Sequence, residues 1–199
     1  MRRVLVAVIA LGAWQAYGEW RLRSLDRPPG VLAPAEPQQS PPEPASHSFS
    51  YRNYTLQPMA HYRISARLLH REPYHFGRDA DLAPLDFALG WGPMSDSAIL
   101  SRLKLEQSSR FFSLYFDGAP PLPVGTLLLH SANTHLIPAD DGVWSTLRWM
   151  RPGQVVELEG ELVNISAPDG WYWNTSLTRT DTGAGACEVL WVEHAWVSG

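Results

Sequence analysis

Tyr62-Arg63-Ile64-Ser65-Ala66-Arg67-Leu68 alternates apolar and polar side chains residue by residue. A period of two sends successive side chains to opposite faces, so this stretch reads as a strand with one buried face. Gln154 to Ile165 repeats the pattern, with Val156, Leu158 and Leu162 set against Glu157, Glu159 and Glu161. Gly160 interrupts it where a bulge or a close approach of another backbone is expected. Two apolar runs bounded by Gly and Pro, Ser109 to Phe116 and Thr126 to His130, fit buried strands. Trp171 to Thr178 and Glu188 to Val197 complete the set of expected strands.

Helices are expected at two places. Ser95 or Asp96 can cap one that carries Ile99, Leu100 and Leu103 on a single face. Asp140 or Asp141 can cap another, with Val143, Leu147 and Met150 aligned before Pro152-Gly153 stops it. The fold class that follows is α+β, mainly antiparallel β. Its most specific form is a small barrel of the oligonucleotide/oligosaccharide-binding (OB) type, with one helix inserted between the third and fourth strands and a second short helix.

Outside that domain the chain changes character twice. Residues 1–20, MRRVLVAVIALGAWQAYGEW, set Arg2 and Arg3 ahead of an apolar stretch from Val4 to Tyr17. As a helix, residues 4–20 would cover about 25 Å, slightly short of a bilayer core of about 30 Å. Trp14, Tyr17 and Trp20 near its outer end suit the headgroup level, so an uncleaved anchor is expected, with a cleaved signal peptide as the alternative. Residues 21–48 form a linker; Asp26 to His47 holds seven of the 17 prolines and reads as a semi-rigid spacer. Residues 49–199 remain for a single globular domain. The expected location is a bacterial inner membrane, crossed once, with the domain in the periplasm.

Charge and cysteine content narrow the functions. The 199-residue chain carries a net charge of -4 and Lys104 as its single lysine, which argues against a nucleic-acid partner. Cys187 is the only cysteine, so no intrachain disulfide can form. No cofactor is expected.

Among polar clusters, His130-Ser-Ala-Asn133-Thr-His135-Leu-Ile-Pro-Ala-Asp140 gathers two imidazoles, an amide and a carboxylate in eleven residues. Histidines five apart match neither a helical zinc motif nor one strand face, so a metal on His130, His135 and Asp140 would depend on the loop's path. The plainer account has His130 and Asn133 satisfying loop backbone while Asp140 caps a helix. A second cluster, Ser176 to Glu188, brings Arg179, Asp181 and Cys187 onto a glycine-bearing loop that reads as hairpin chemistry. Cys187 with His130 or His135 could form a nucleophile and base, although adjacent Glu188 and the following Val-Leu-Trp-Val favour a packed, inert thiol. Nine tryptophans, with Trp171 and Trp173 on one strand face and Tyr172 on the other, would make an aromatic binding platform if left exposed.

The segments ADLAPLDFALGWGPMSDSAIL, HSANTHLIPADD, RPGQVVELEGELVNI and DGWYWNTSLTRTDTGAGACEVLWVE together resemble a family of uncharacterised bacterial proteins with a short N-terminal membrane segment and one domain. The resemblance runs from about Tyr62 to Glu193. It implies a bacterial source and a shared fold, and it carries no reaction, ligand or catalytic residue.

Two functional expectations follow. The leading one is a non-catalytic envelope protein whose domain binds another envelope component, a protein partner, on a surface near His130, Asn133, His135, Arg179 and Asp181. The alternative is an exported hydrolase or transferase using Cys187 with His130 or His135, or a metal on His130, His135 and Asp140. Imidazole nitrogens close to the Cys187 sulfur would favour the enzyme.

Overall fold

In a computed structural model of the chain, the described residues are 18, 20, 22–42, 46–181 and 185–199. The apolar stretch of residues 4–17 lies outside them. No helix among the described residues is long and apolar enough to cross a membrane. In chain order the strands are β1 (Gln38–Ser40), β2 (Phe49–Tyr51), β3 (Tyr54–Pro73), β4 (Leu85–Gly90), β5 (Lys104–Ser108), β6 (Phe111–Tyr115), β7 (Ser131–Pro138), β8 (Val155–Ser166), β9 (Tyr172–Trp173) and β10 (Glu188–Val197). The helices are α1 (Arg78–Leu82), α2 (Ser97–Leu100), α3 (Val124–Leu129) and α4 (Asp141–Leu147), with a 3-10 turn at Gly92–Ser95.

Five strands close a ring. β3 pairs with β4, β4 with β7, β7 with β10, β10 with β8, and β8 returns to β3. Every pairing is antiparallel except β7 with β10. Counted along the chain, the ring runs first, second, third, fifth, fourth and back to first, with α4 between the third and fourth strands. This is the expected OB-type barrel. The twenty residues of β3 make closure feasible, because residues 55–67 pair with β8 while residues 67–73 pair with β4. Register shifts between Pro58 and Ala60 and between Leu68 and His70 let so long a strand bend around the ring.

The alternation seen in the sequence decides what lies inside. Tyr62, Ile64, Ala66 and Leu68 meet Leu85, Phe87, Leu89, Leu136, Val156, Leu158, Leu162 and Leu190 in the barrel core. α4 closes one end with Val143 and Leu147, and its N-terminus is fixed by Asp140, whose Oδ1 accepts from Val143 N at 2.8 Å. Trp91, between Gly90 and Gly92, is buried in the same core. At Gly160 a Cβ would sit 1.9 Å from the carbonyl oxygen of Trp191, beside the irregular pairing of Val192 and His194. The close approach expected there is the reason for glycine.

Several expectations need correction. Thr126 to His130 is not a strand; Val124–Leu129 is helical, started by Pro123, and only Leu127 of its apolar residues is buried. A short apolar run has no period, and the chain resolved the ambiguity by turning. Ser109 to Phe116 does not enter the barrel. Its strand, β6, pairs only with β5, and Phe111 and Tyr115 are about half exposed. This hairpin belongs to an insertion between β4 and β7 that packs Leu105, Phe112 and Leu114 with Leu69, Ala88, Met94 and Leu127 on the outer face of the ring. The helix expected after Asp96 is a single turn, capped by the Asp96 side chain at Ala98 N, 2.8 Å. Of the strand expected over Trp171 to Thr178 only Tyr172–Trp173 forms, whereas the one expected over Glu188 to Val197 is β10.

The proline-rich segment is not clear of the domain where it is described. Leu25 N donates to Pro152 O at 2.8 Å, and the amides of Leu32 and Ala33 both donate to Ser95 Oγ at 3.1 Å. Gln38–Ser40 adds to β3 as an edge strand. Prolines without N–H groups still leave neighbouring amides free to bind, which strap the segment along the barrel. Trp171 and Trp173 do not stand open as a platform: with Trp191 they pack with Phe49, Tyr51 and Tyr54 around Ile137, Ile165 and Val189. Tyr172 stands exposed on the opposite side.

Replacing Gly160 with Ala should force β8 and β10 apart. Urea denaturation should show a loss of about 3 kcal/mol or more; a loss below 1 kcal/mol would show that the two backbones are not held in this contact.

Candidate functional site

On the outer face of the ring, β4 and β7 bring polar groups together. The register pairs Asp86 with His135 and Ala88 with Asn133, so Asp86, Asn133 and His135 project from one face while Leu85, Phe87 and Leu136 fill the core on the other. Asn133 and His135 share that face because they are two apart on β7. Cys187 stands immediately before β10, whose first residue, Glu188, pairs with Thr134. The thiol is thereby brought next to Asn133 and His135.

Asp86 is fully buried and serves two cations. Its Oδ1 accepts from Arg110 Nη1 at 2.6 Å, and its Oδ2 lies 2.9 Å from His135 Nδ1. The second contact is an ion-pair approach and not an aligned hydrogen bond. His135 is 3% exposed, and the Trp173 ring leans over it at 4.8 Å between centroids. Burial opposes protonation of His135, but the Asp86 carboxylate and the Cys187 sulfur beside it outweigh burial and raise the imidazole from 6.5 to about 9. With Asp86 at Nδ1, Nε2 is the nitrogen left for a second partner, and the Cys187 sulfur acts on the same imidazole. The order is carboxylate, imidazole, sulfur.

A second network holds the sulfur from the other side. His70 Nδ1 bonds Gln107 Oε1 at 2.8 Å, Gln107 Nε2 donates to Asn133 Oδ1 at 2.6 Å, and Asn133 Nδ2 reaches Cys187 Sγ at 3.6 Å. Asn133 Nδ2 also donates to Arg110 O at 3.0 Å, and the thiol points to that carbonyl at 3.8 Å. Arg110 occupies the tip of the β5–β6 hairpin with Ser109. Both have positive φ, 70° and 51°, where a two-residue turn ordinarily uses Asn or Gly. The turn is anchored by Arg110 N donating to Tyr74 OH at 2.9 Å and by its guanidinium, 3.7 Å from the Tyr74 ring centroid. Cys187, His135, Arg110, Trp173 and Phe111 line a cavity of about 280 Å³.

The remaining candidates separate. Arg179 points into the barrel mouth, where it pairs with buried Glu188 and donates to Tyr62 OH at 2.7 Å. Burial and the carboxylate raise the Glu188 and Arg179 pKa values, respectively, against the opposing effects of the pair and of burial. Asp181 accepts from Ser176 Oγ at 2.6 Å. His130 ends α3, its Nδ1 on Thr126 O at 2.8 Å. Five strand residues put it roughly 17 Å from His135. Asp140 is committed to its helix cap and lines a different cavity. The set His130, His135 and Asp140 is therefore not assembled, and among the described residues no three His, Cys, Asp or Glu side chains are placed to hold a metal. Nor is Cys187 enclosed in core: it is half-buried at the cavity.

The sequence does not single out Asp86, Arg110 or Gln107 as site residues, and it offers Trp173 only as part of an aromatic platform. Two signals were present. Asp86 is a carboxylate inside Leu85 to Leu89, a strand otherwise apolar on both faces, and Ser109-Arg110 sits in a tight hairpin without turn residues. Comparison with family models, curated proteins and solved structures returned no match to this chain.

Because His135 is raised in the fold, its stabilising effect is complete below its unfolded value near 6.5 and is lost as pH rises through about 9. Urea denaturation should record a fall of about 3 kcal/mol across that window. A His135→Gln variant should lack this fall; the same slope in the variant would assign the effect to other groups.

Proposed function

We propose that this domain is a thiol-dependent acyl-transfer enzyme, a hydrolase or transferase with Cys187 as nucleophile. The observation that carries the reading is that His135 and Cys187 line one cavity, with buried Asp86 against the imidazole behind them. A nucleophile, a base within its reach and a third group orienting the base are the parts that nucleophilic catalysis requires. Buried charges are poor stabilisers compared with apolar packing, so a fully buried Asp86 serving two cations beside a thiol is better explained by function than by stability. The position adds support by analogy: OB-type barrels bind ligands on the face of their second and third strands, here β4 and β7.

The attacking species is a thiolate–imidazolium pair in which the thiol proton already rests on His135, and Sγ attacks the acyl carbon, forming a sulfur–carbon bond. The proton then passes from His135 to the leaving group as its bond to carbon breaks, and a thioester on Cys187 remains. Water or an acceptor, deprotonated by His135, attacks the thioester, and Sγ departs as the thiolate, which restores the pair. Asp86 holds the imidazole in orientation and stabilises its charged form. Asn133 steadies the sulfur through Nδ2. The membrane-directed character of residues 1–20 makes the cell envelope the proposed setting, so its acyl compounds are the substrates to screen.

p-Nitrophenyl acetate tests this without a known substrate. Mass spectrometry should find one acetyl group on Cys187 that forms and clears with nitrophenol release, and Cys187→Ser should lose turnover by about 100-fold or more. Acetylation no faster than in the urea-unfolded chain would refute the proposal.

A further inference from the structure

Arg110 has more donors than its partners use. Nη1 donates to Asp86 Oδ1 at 2.6 Å and to Ala83 O at 2.9 Å, whereas Nε and Nη2 donate to no described residue. The guanidinium plane is fixed by Tyr74 on one ring and has Trp173 5.6 Å from its central carbon. Its side chain is 15% exposed, and it lines the same cavity as the Cys187 sulfur. Nε and Nη2 form one edge of the planar fork, the edge that matches the two oxygens of a carboxylate. The strained turn at Ser109 and Arg110 keeps this edge in place, and such strain persists where a position is needed for function.

Charge leads in the same direction. Arg110 and protonated His135 place two positive charges around the single carboxylate of Asp86. Asp79 lines the same cavity but forms no salt bridge with Arg110. Asp86 is thus shared with His135 and Asp79 is not paired with Arg110, so the Nε–Nη2 edge of Arg110 meets no carboxylate of the described residues. Trp173 and Phe111 supply apolar wall for the rest of a small ligand.

From these contacts we infer that the acyl substrate carries a carboxylate, which docks on the Nε–Nη2 edge of Arg110 beside the Cys187 sulfur. The inference rests on Cys187 being the nucleophile. It assigns Arg110 to substrate specificity, and it makes acidic acyl groups, such as those of dicarboxylic acids or acidic peptides, the preferred class.

The lone cysteine gives a direct test on the full chain. Iodoacetate and 3-iodopropionate are each compared with the corresponding neutral amide; in every case Sγ bonds to carbon and iodide leaves. Relative to N-acetylcysteine, at least one acid should be favoured over its amide by roughly tenfold, the effect of a charge-assisted pair. Arg110→Gln should abolish the preference and Arg110→Lys should keep part of it. A preference equal to that of N-acetylcysteine, or one unchanged in Arg110→Gln and thus due to His135 alone, overturns the inference. If Arg110→Gln does not fold, protection of the native thiol from iodoacetamide by succinate but not by succinamide decides the matter, and equal protection by both overturns it. The underlying nucleophile assignment fails separately, if iodoacetamide reacts with Cys187 no faster than with N-acetylcysteine.

Discussion

The structure around the cavity depends on one carboxylate out of contact with water. Asp86 is fully buried on an outer strand face and is shared between the guanidinium of Arg110 and the imidazole of His135. An ionised carboxylate in such a place is tolerable only while both partners stay. Arg110 comes from a hairpin tip, His135 from β7 and Asp86 from β4, so this one group ties the insertion to the barrel. The same group fixes the imidazole that faces the thiol. Removing either cation would leave Asp86 uncompensated, at a cost of about 3 to 5 kcal/mol.

The barrel makes that meeting possible. Antiparallel pairing of β4 with β7 sets Asp86 opposite His135, and parallel pairing of β7 with β10 delivers Cys187 beside them. Residues far apart in sequence thus reach one surface through strand register alone. Arg179 pairs with Glu188, the residue next to Cys187 at the start of β10.

Much of the barrel was legible because its strands alternate. Tyr62 to Leu68 and Gln154 to Ile165 announce their buried faces, Gly160 announces a close backbone, and Asp140 announces a helix start. Thr126 to His130 turns helical because three leucines in a row carry no period, and Ser109 to Phe116 lies outside the barrel because an outer cluster selects the same residues as a core. The site was legible only in part. Asn133 and His135 could be named from a polar cluster, whereas Asp86 and Arg110 acquire meaning only from register and a hairpin placed across the sheet. Cys187 looked like packing since neighbours in sequence, Glu188 above all, point into the barrel while the thiol does not.

The coupling of Asp86, His135 and Cys187 is best tested by the titration of His135 itself, followed by NMR of its ring protons in the native chain, in Asp86→Asn and in Cys187→Ala. Physical coupling along the line predicts a midpoint near 9 in the native chain and a lower one in each variant. A native midpoint near 6.5, or one that Cys187→Ala leaves in place, would show that imidazole and thiol do not act on each other.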